Sequence, residues 1–300
     1  MQHFAFLQLP PELRNRIYSF ALQSPTGTLR LECSSHRHGR DREIEKTGYT
    51  SKATKPMKSV YLHENDCDSP LRLLRRRPEF NQLKYVCRSL YHETAGIELH
   101  FNEILLAQRR YRDRDPVEQY HTLLSHLSPS RLTWLRTITL VQHLSLFHQG
   151  YFGSLCNFLT PKRFEDFQDL CALCKRLPNV NIRVVLPGFT YHANGQGRAS
   201  AAKFIFYCAL ALLVLRDERS ISWEGIVYRK IEERSRIILQ NKDVGTWQVR
   251  NLRFLTELSA FEYEEFWGLV QKDWKWFKAE GFEDMEGWAR RAREWVVDGI

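Results

Sequence analysis

The chain opens on an apolar stripe at helical spacing. Leu13, Ile17, Phe20 and Ala21 recur three or four residues apart, while Arg14, Asn15, Arg16 and Ser19 fall mostly on the other side. Pro10 and Pro11 mark the start, because proline at the first helical position gives up no hydrogen bond and already has a helical φ. Glu12 follows in the first turn, where a carboxylate meets the positive end of the helix dipole. Leu9 lies just outside and is placed to pack back like a staple. The spacing therefore predicts a helix that ends near Leu22. Two readings account for its stripe: packing against its own domain, or docking on a partner helix.

Downstream, Thr28–Glu32 alternates as a short strand does. It lies in a long polar and basic insertion, residues 23–80, in which Ser34–Arg42 reads as a loop. From Leu83 to about His100 the pattern predicts one helix, with Leu83, Val86, Cys87, Leu90, Thr94 and Ile97 on one face. A strand over Glu103–Ala107 and a helix over Val117–Leu127 follow. Leu132–Val141 turns from helix into strand, Pro161–Leu177 is helical, and Pro178–Pro187 is a second strand. Strand, helix and strand in that order predict a right-handed parallel unit. Its Leu-Arg-x-Ile-x-Leu texture is similar to degenerate leucine-rich repeats, but two copies are too few for a solenoid. Ser200–Arg216 is apolar all round, as a buried helix is, and its run Phe204–Leu215 is shorter than the roughly 20 residues that span a bilayer. Trp223–Gln240 reads as a helix with a charged face. Ser259-Ala-Phe-Glu262 reads as a capping box. Tyr263, Phe266, Trp267, Val270, Trp274 and Phe277 then keep helical spacing, and Trp276 falls off their stripe towards solvent. A last helix covers Met285–Val297, with Trp288, Ala292, Trp295 and Val296 on one side. The expected fold is α+β and mostly helical. Residues 1–107 form one region and residues 108–300 an α+β to helical second one.

Two segments carry a family resemblance. Leu9-Pro-Pro-Glu-Leu-Arg-Asn-Arg-Ile-Tyr-Ser-Phe-Ala-Leu22 resembles the start of fungal F-box-like proteins, including the two-EXR type, with Glu12-Leu13-Arg14 as the first Glu-x-Arg. Leu83-Lys-Tyr-Val-Cys-Arg-Ser-Leu-Tyr-His-Glu-Thr-Ala-Gly96, followed by Phe101-Asn102, is similar to the second helix of the same families. A second Glu-x-Arg is absent there, which favours the broader F-box-like group. The resemblance covers about the first third of the chain. It implies a first helix that meets an adaptor of the Skp type, and through it a cullin ubiquitin ligase. Leu9, Pro10, Leu13 and Ile17 would make that contact, with Val86 and Leu90 in support. The long insertion between the two segments departs from the compact F-box unit.

Composition narrows the classes. The chain has 300 residues, 43% of them hydrophobic, so a sizeable core is available and the composition is that of a folding chain. A net charge of +9 favours acidic partners or nucleic acid. The densest basic cluster holds Arg72, Arg75, Arg76 and Arg77. It reads as a charged loop, an import signal or a phosphate-binding patch, and it underlies the alternative reading of a nucleic-acid- or chromatin-associated protein. No helix-turn-helix, zinc-finger or RNP pattern accompanies it. Seven cysteines at irregular spacing, with no signal-peptide pattern before them, point to a reduced cytoplasmic or nuclear compartment.

Catalytic and metal chemistry find no support. Cys171-Ala-Leu-Cys174 has no second pair for a tetrahedral zinc site and lies in the apolar stripe of Phe164, Phe167, Leu170 and Leu177. His63-Glu64 and His92-Glu93 begin a His-Glu-x-x-His pattern that neither completes. Gly195-Gln-Gly lacks the third glycine of a dinucleotide fingerprint and the Lys of a P-loop. The expectation is a non-enzymatic interaction protein with no cofactor, no metal and no membrane span, acting on a protein target that the residues do not specify.

Overall fold

A computed structural model describes residues 6–33, 60–64, 80–108, 115–141, 161–186, 190–191, 199–216, 249–256, 258, 260–279 and 284–300. The chain mixes helix and strand and divides into two compact units, residues 1–106 with 119–136, and residues 107–118 with 137–300.

The first unit begins with α1 (Pro11–Ala21) and a strand pair, β1 (Thr28–Cys33) and β2 (Val60–Glu64). They run antiparallel, with Leu29 opposite Glu64 and Cys33 opposite Val60. The insertion thus carries a second strand, which its polar composition concealed. It also places His63-Glu64 on a strand, where no zinc helix forms. On its other edge β1 pairs in parallel with β3 (Glu103–Ala107), Leu29 beside Ile104. Leu29, Leu31, Ile104 and Leu106 are buried.

The second motif is not one continuous helix. A 3-10 turn over Leu83–Tyr85 is followed by α2 (Arg88–Thr94) and α3 (Glu98–Phe101). Cys87 is extended (φ −159°, ψ 167°) and breaks the helical phase. Val86 and Cys87 consequently face solvent while Leu90 and Thr94 are buried, so the expected single face is split. Gly96 (φ +90°) makes the turn into α3, with the Arg131 Cδ 3.1 Å from where a Cβ would stand. Its sequence signal was the glycine itself, since positive φ is costly for residues with a Cβ. Tyr18, Leu22 and Leu90 form a small core, with Phe6, Phe80, Leu83, Ile97 and Phe101 packed around it. Helices α4 (Pro116–His126) and α5 (Pro129–Leu132) follow, and Tyr120 and Leu123 of α4 are buried.

The second unit holds three parallel strands in the order β4 (Thr137–Val141), β5 (Asn181–Val185), β6 (Leu252–Leu255). Helix α6 (Pro161–Arg176) joins the first two, which makes the predicted strand–helix–strand unit. Ile138, Leu140, Ile182, Val184, Leu252 and Phe254 are the buried alternate positions. Asn251 locks the turn between helix and sheet: its Nδ2 donates to the carbonyls of Cys174 (3.1 Å), Leu177 (2.8 Å) and Val180 (2.8 Å). Cys171 and Cys174 are buried in the core. Ile300 extends the sheet by exchanging both backbone hydrogen bonds with Phe254.

Helix α7 (Ala201–Arg216) buries Phe204, Ile205, Cys208 and Leu210 and packs with α8 (Tyr263–Lys272) and α10 (Met285–Val297). Ser259 of the expected capping box lies outside the described residues, and α8 begins later than that box predicts. Glu262 is itself the N-cap of α8, and its amide donates to the Tyr191 hydroxyl at 2.9 Å. Tyr191 joins Phe204, Phe261 and Phe266 in an aromatic cluster. The run expected as one helix breaks at Asp273, after which α9 (Trp274–Ala279) begins. Trp276 is half-buried and Trp274 is the exposed ring, the reverse of the expectation, because this break shifts the phase. Helix α10 starts at an Asp284 cap that accepts from the Gly287 amide at 2.8 Å.

Candidate functional site

Helix α1 begins at Pro10, whose carbonyl accepts from the amides of Leu13 (3.0 Å) and Arg14 (3.1 Å). The side of the helix that packs inward is not its apolar stripe. It is the row Arg14, Tyr18 and Leu22, spaced by four. Tyr18 is only 1% exposed. Its ring packs against Phe6 with centroids 5.7 Å apart. Its hydroxyl donates to Glu93 Oε2 at 2.7 Å. The same oxygen accepts from Arg14 Nε at 3.0 Å. Arg14 Nη1 reaches back to the carbonyls of Leu7 (3.0 Å) and Leu9 (2.7 Å), which fixes the approach to the helix. One carboxylate on α2 therefore holds two side chains of α1.

This arrangement changes the phenol. Burial, then the hydrogen bond to Glu93 and its negative charge, push the Tyr18 pKa up to about 12, while the Arg14 guanidinium pulls the other way. Glu93 had entered the sequence reading within the second motif and an incomplete His-Glu pattern, with no role of its own. Its neighbour Leu90 was expected among the docking residues, and the structure instead buries it with Tyr18 and Leu22.

The exit of α1 is fixed from a distance. Asn102 Oδ1 accepts from the Ser24 amide at 2.7 Å, and Asn102 Nδ2 donates to the carbonyls of Leu22 (2.6 Å) and Glu98 (2.9 Å). A second amide, Asn81, donates from Nδ2 to Thr94 O and to Glu98 Oε2, each at 2.7 Å.

With Arg14, Tyr18 and Leu22 turned inward, the apolar stripe is turned out. Leu13 is 48%, Ile17 42% and Phe20 74% exposed. Pro10 is also exposed and Leu9 half-buried. The side chains follow i, i+4, i+7 spacing, which is the seam one helix offers another. Phe20, the most exposed of them, belonged to the predicted stripe but not to the predicted docking set. Val86 (67% exposed) stands before α2, beside an exposed Tyr85 whose ring lies under Lys84 Nζ at 5.2 Å. The basic cluster Arg72, Arg75, Arg76 and Arg77 lies outside the described residues, as do the glycines of Gly195-Gln-Gly.

Among the described residues, no group of three or more His, Cys, Asp or Glu side chains is placed to hold a metal ion, and no helix is long and apolar enough to cross a membrane. Compared with protein-family models, curated proteins and solved structures, the chain finds no match.

Proposed function

We propose that this chain is a non-catalytic protein-interaction module of F-box-like type, which docks an adaptor of the Skp type through α1. The observation that carries this reading is the outward stripe of Leu13, Ile17 and Phe20 on a helix whose opposite side is pinned by Glu93. A helix that served only its own domain would turn this stripe inward, because an apolar side chain gains about 1.5–3 kcal/mol on full burial. Here the inward side is filled by polar-tipped residues with satisfied hydrogen bonds. Covering what remains exposed of the three side chains is worth on the order of 4 kcal/mol, enough to contribute substantially to a micromolar contact. Pro10 and Leu9 extend the stripe at its N-terminal end. Val86 is an accessory contact, and Leu90 acts from below by supporting Tyr18. The remaining surface presents a protein target for modification, so the mechanism is proximity and the chain itself does no chemistry.

The test is capture of a purified Skp-type adaptor by the full chain, beside Leu13→Asp with Ile17→Asp. The expected result is specific capture that falls at least tenfold in the double variant, with unchanged helical circular dichroism. Well-folded wild-type protein that captures no adaptor would overturn the reading. Collapse of the fold in the double variant would also overturn it, because the stripe would then be internal.

A further inference from the structure

A different surface, in the second unit, points to a ligand of another class. Helices α8 and α9 bury Phe266, Val270 and Phe277 and leave a second aromatic row beside them. Tyr263 stacks on Trp267 (centroids 6.0 Å apart, planes 7° apart), and past the break at Asp273 comes Trp274, 48% exposed. Among the described residues, no ring contact of Trp274 is found. An indole left open at the surface forgoes one of the larger stabilising burials available to a side chain.

Lysines outnumber carboxylates around Trp274, where Asp273 is the adjoining acid. Lys272, Lys275 and Lys278 are all exposed and stand within four residues of it. Among the described residues, none of the three makes an ion pair. A fourth cation comes from another helix. Asp273 accepts from the Ser200 hydroxyl (2.7 Å) and the Ala202 amide (3.2 Å), which docks the start of α7 on this junction and brings the exposed Lys203 with it. Asp273 directly precedes Trp274, and its Oδ2 is the oxygen that both donors share. Glu264 and Glu265 lie at the far end of α8, about 12–15 Å away at 1.5 Å per residue.

We infer that this patch binds single-stranded nucleic acid, with a base stacked on Trp274 and the flanking phosphates met by Lys272, Lys275, Lys278 and Lys203. An open indole suits a flat base, whichever base it is. Mobile ammonium groups on both sides suit a backbone that carries one charge per nucleotide. An acidic peptide would use the lysines and leave the ring without a purpose. The chain's net charge of +9 draws polyanions to it in general. This site is independent of α1 and of the adaptor reading.

The test uses the full chain and a fluorescein-labelled oligothymidylate of roughly 15 nucleotides, read by anisotropy across a salt series. Binding is expected to weaken with salt. Trp274→Ala should lower affinity roughly 5- to 100-fold and leave the salt slope in place, while Trp274→Phe keeps most of the affinity. Lys275→Gln with Lys278→Gln should reduce the slope of log K against log salt by about 1.4, at about 0.7 per phosphate contact. Both lysines are exposed, so this pair tests the patch even where a Trp274 variant folds poorly. No binding at low salt would overturn the inference. So would affinity unmoved by Trp274→Ala. Heparin bound as tightly as the oligonucleotide would do the same, since heparin carries charge without bases.

Discussion

Replacing Tyr18 by Phe isolates the hydrogen bond that sets α1. The ring stays, with its packing on Phe6, Leu22 and Leu90, and only the hydroxyl is lost. That hydroxyl donates to a charged acceptor at 2.7 Å, a class of bond worth about 1.5–3 kcal/mol net. Glu93 is 32% exposed, so water compensates part of the loss, and a cost of about 1–2 kcal/mol at pH 8 is expected. The pH dependence is the sharper part. The Tyr18 pKa is about 12 in the folded protein against 10.0 for a free phenol. A raised pKa means that the stabilisation is complete below pH 10 and is lost as pH rises towards 12, because the unfolded state sheds its proton first. By pH 11 the loss is about 1.4 kcal/mol, one pKa unit. The wild-type and Tyr18→Phe stabilities should therefore differ at pH 8 and converge near pH 11. Urea unfolding followed by circular dichroism at pH 8, 9, 10 and 11 reads both. Equal stability at pH 8, or a constant difference up to pH 11, would refute the claim that this phenol is buried on a carboxylate.

Two further outcomes are expected. Gly299→Ala should destabilise the second unit by about 2 kcal/mol in thermal unfolding, because Gly299 has φ +79° and a Cβ there would stand 2.7 Å from Leu255 Cδ2 and 2.9 Å from the Phe254 carbonyl. Mass-spectrometric thiol labelling of native protein should modify the exposed Cys87 within minutes and spare the buried Cys171, Cys174 and Cys208 until denaturant is added. For Cys208, burial also pushes the thiol pKa well up, so little reactive thiolate forms. Labelling of Cys208 at the rate of Cys87 would contradict the placement of α7.

Much of the second unit was legible because its elements obey simple periods. Ile138 and Leu140 alternate in β4, Ile182 and Val184 in β5, α6 and α10 keep a helical period, and α7 stands out as an unbroken apolar run. Strand β6 escaped because four residues offer only Leu252 and Phe254 as an alternating pair, and its pairing partner β5 lies far away in sequence. Strand β2 escaped for a similar reason: its place is set by β1 across a long insertion. In the first unit the apolar period gave the helix but not which way it faces. Hydrophobic patterning assumes that the apolar side is the buried one. In α1 a tyrosine, the stem of an arginine and one leucine fill the interior, and a single glutamate 75 residues beyond Tyr18 satisfies both polar tips. No local signal distinguishes that orientation from the ordinary one. The fractured second motif has a similar cause. Cys87 carries no turn signal, and its extended backbone follows from tertiary packing.

The Asn102 side chain stands in for a missing stretch of backbone. It supplies an acceptor to Ser24 and a donor to Leu22, as a neighbouring strand would, and it belongs to the far side of the insertion. The close of α1 is thus tied to α3 through space. The ends of residues 34–59 are held separately, by Cys33 opposite Val60 in the β1–β2 pair, and lengthening a chain whose ends are already held adds little entropy, about 0.6 kcal/mol for each doubling. Residues added there would leave the Asn102 contacts to Ser24 and Leu22 in place. Selection on α1 and selection on that stretch can therefore run separately.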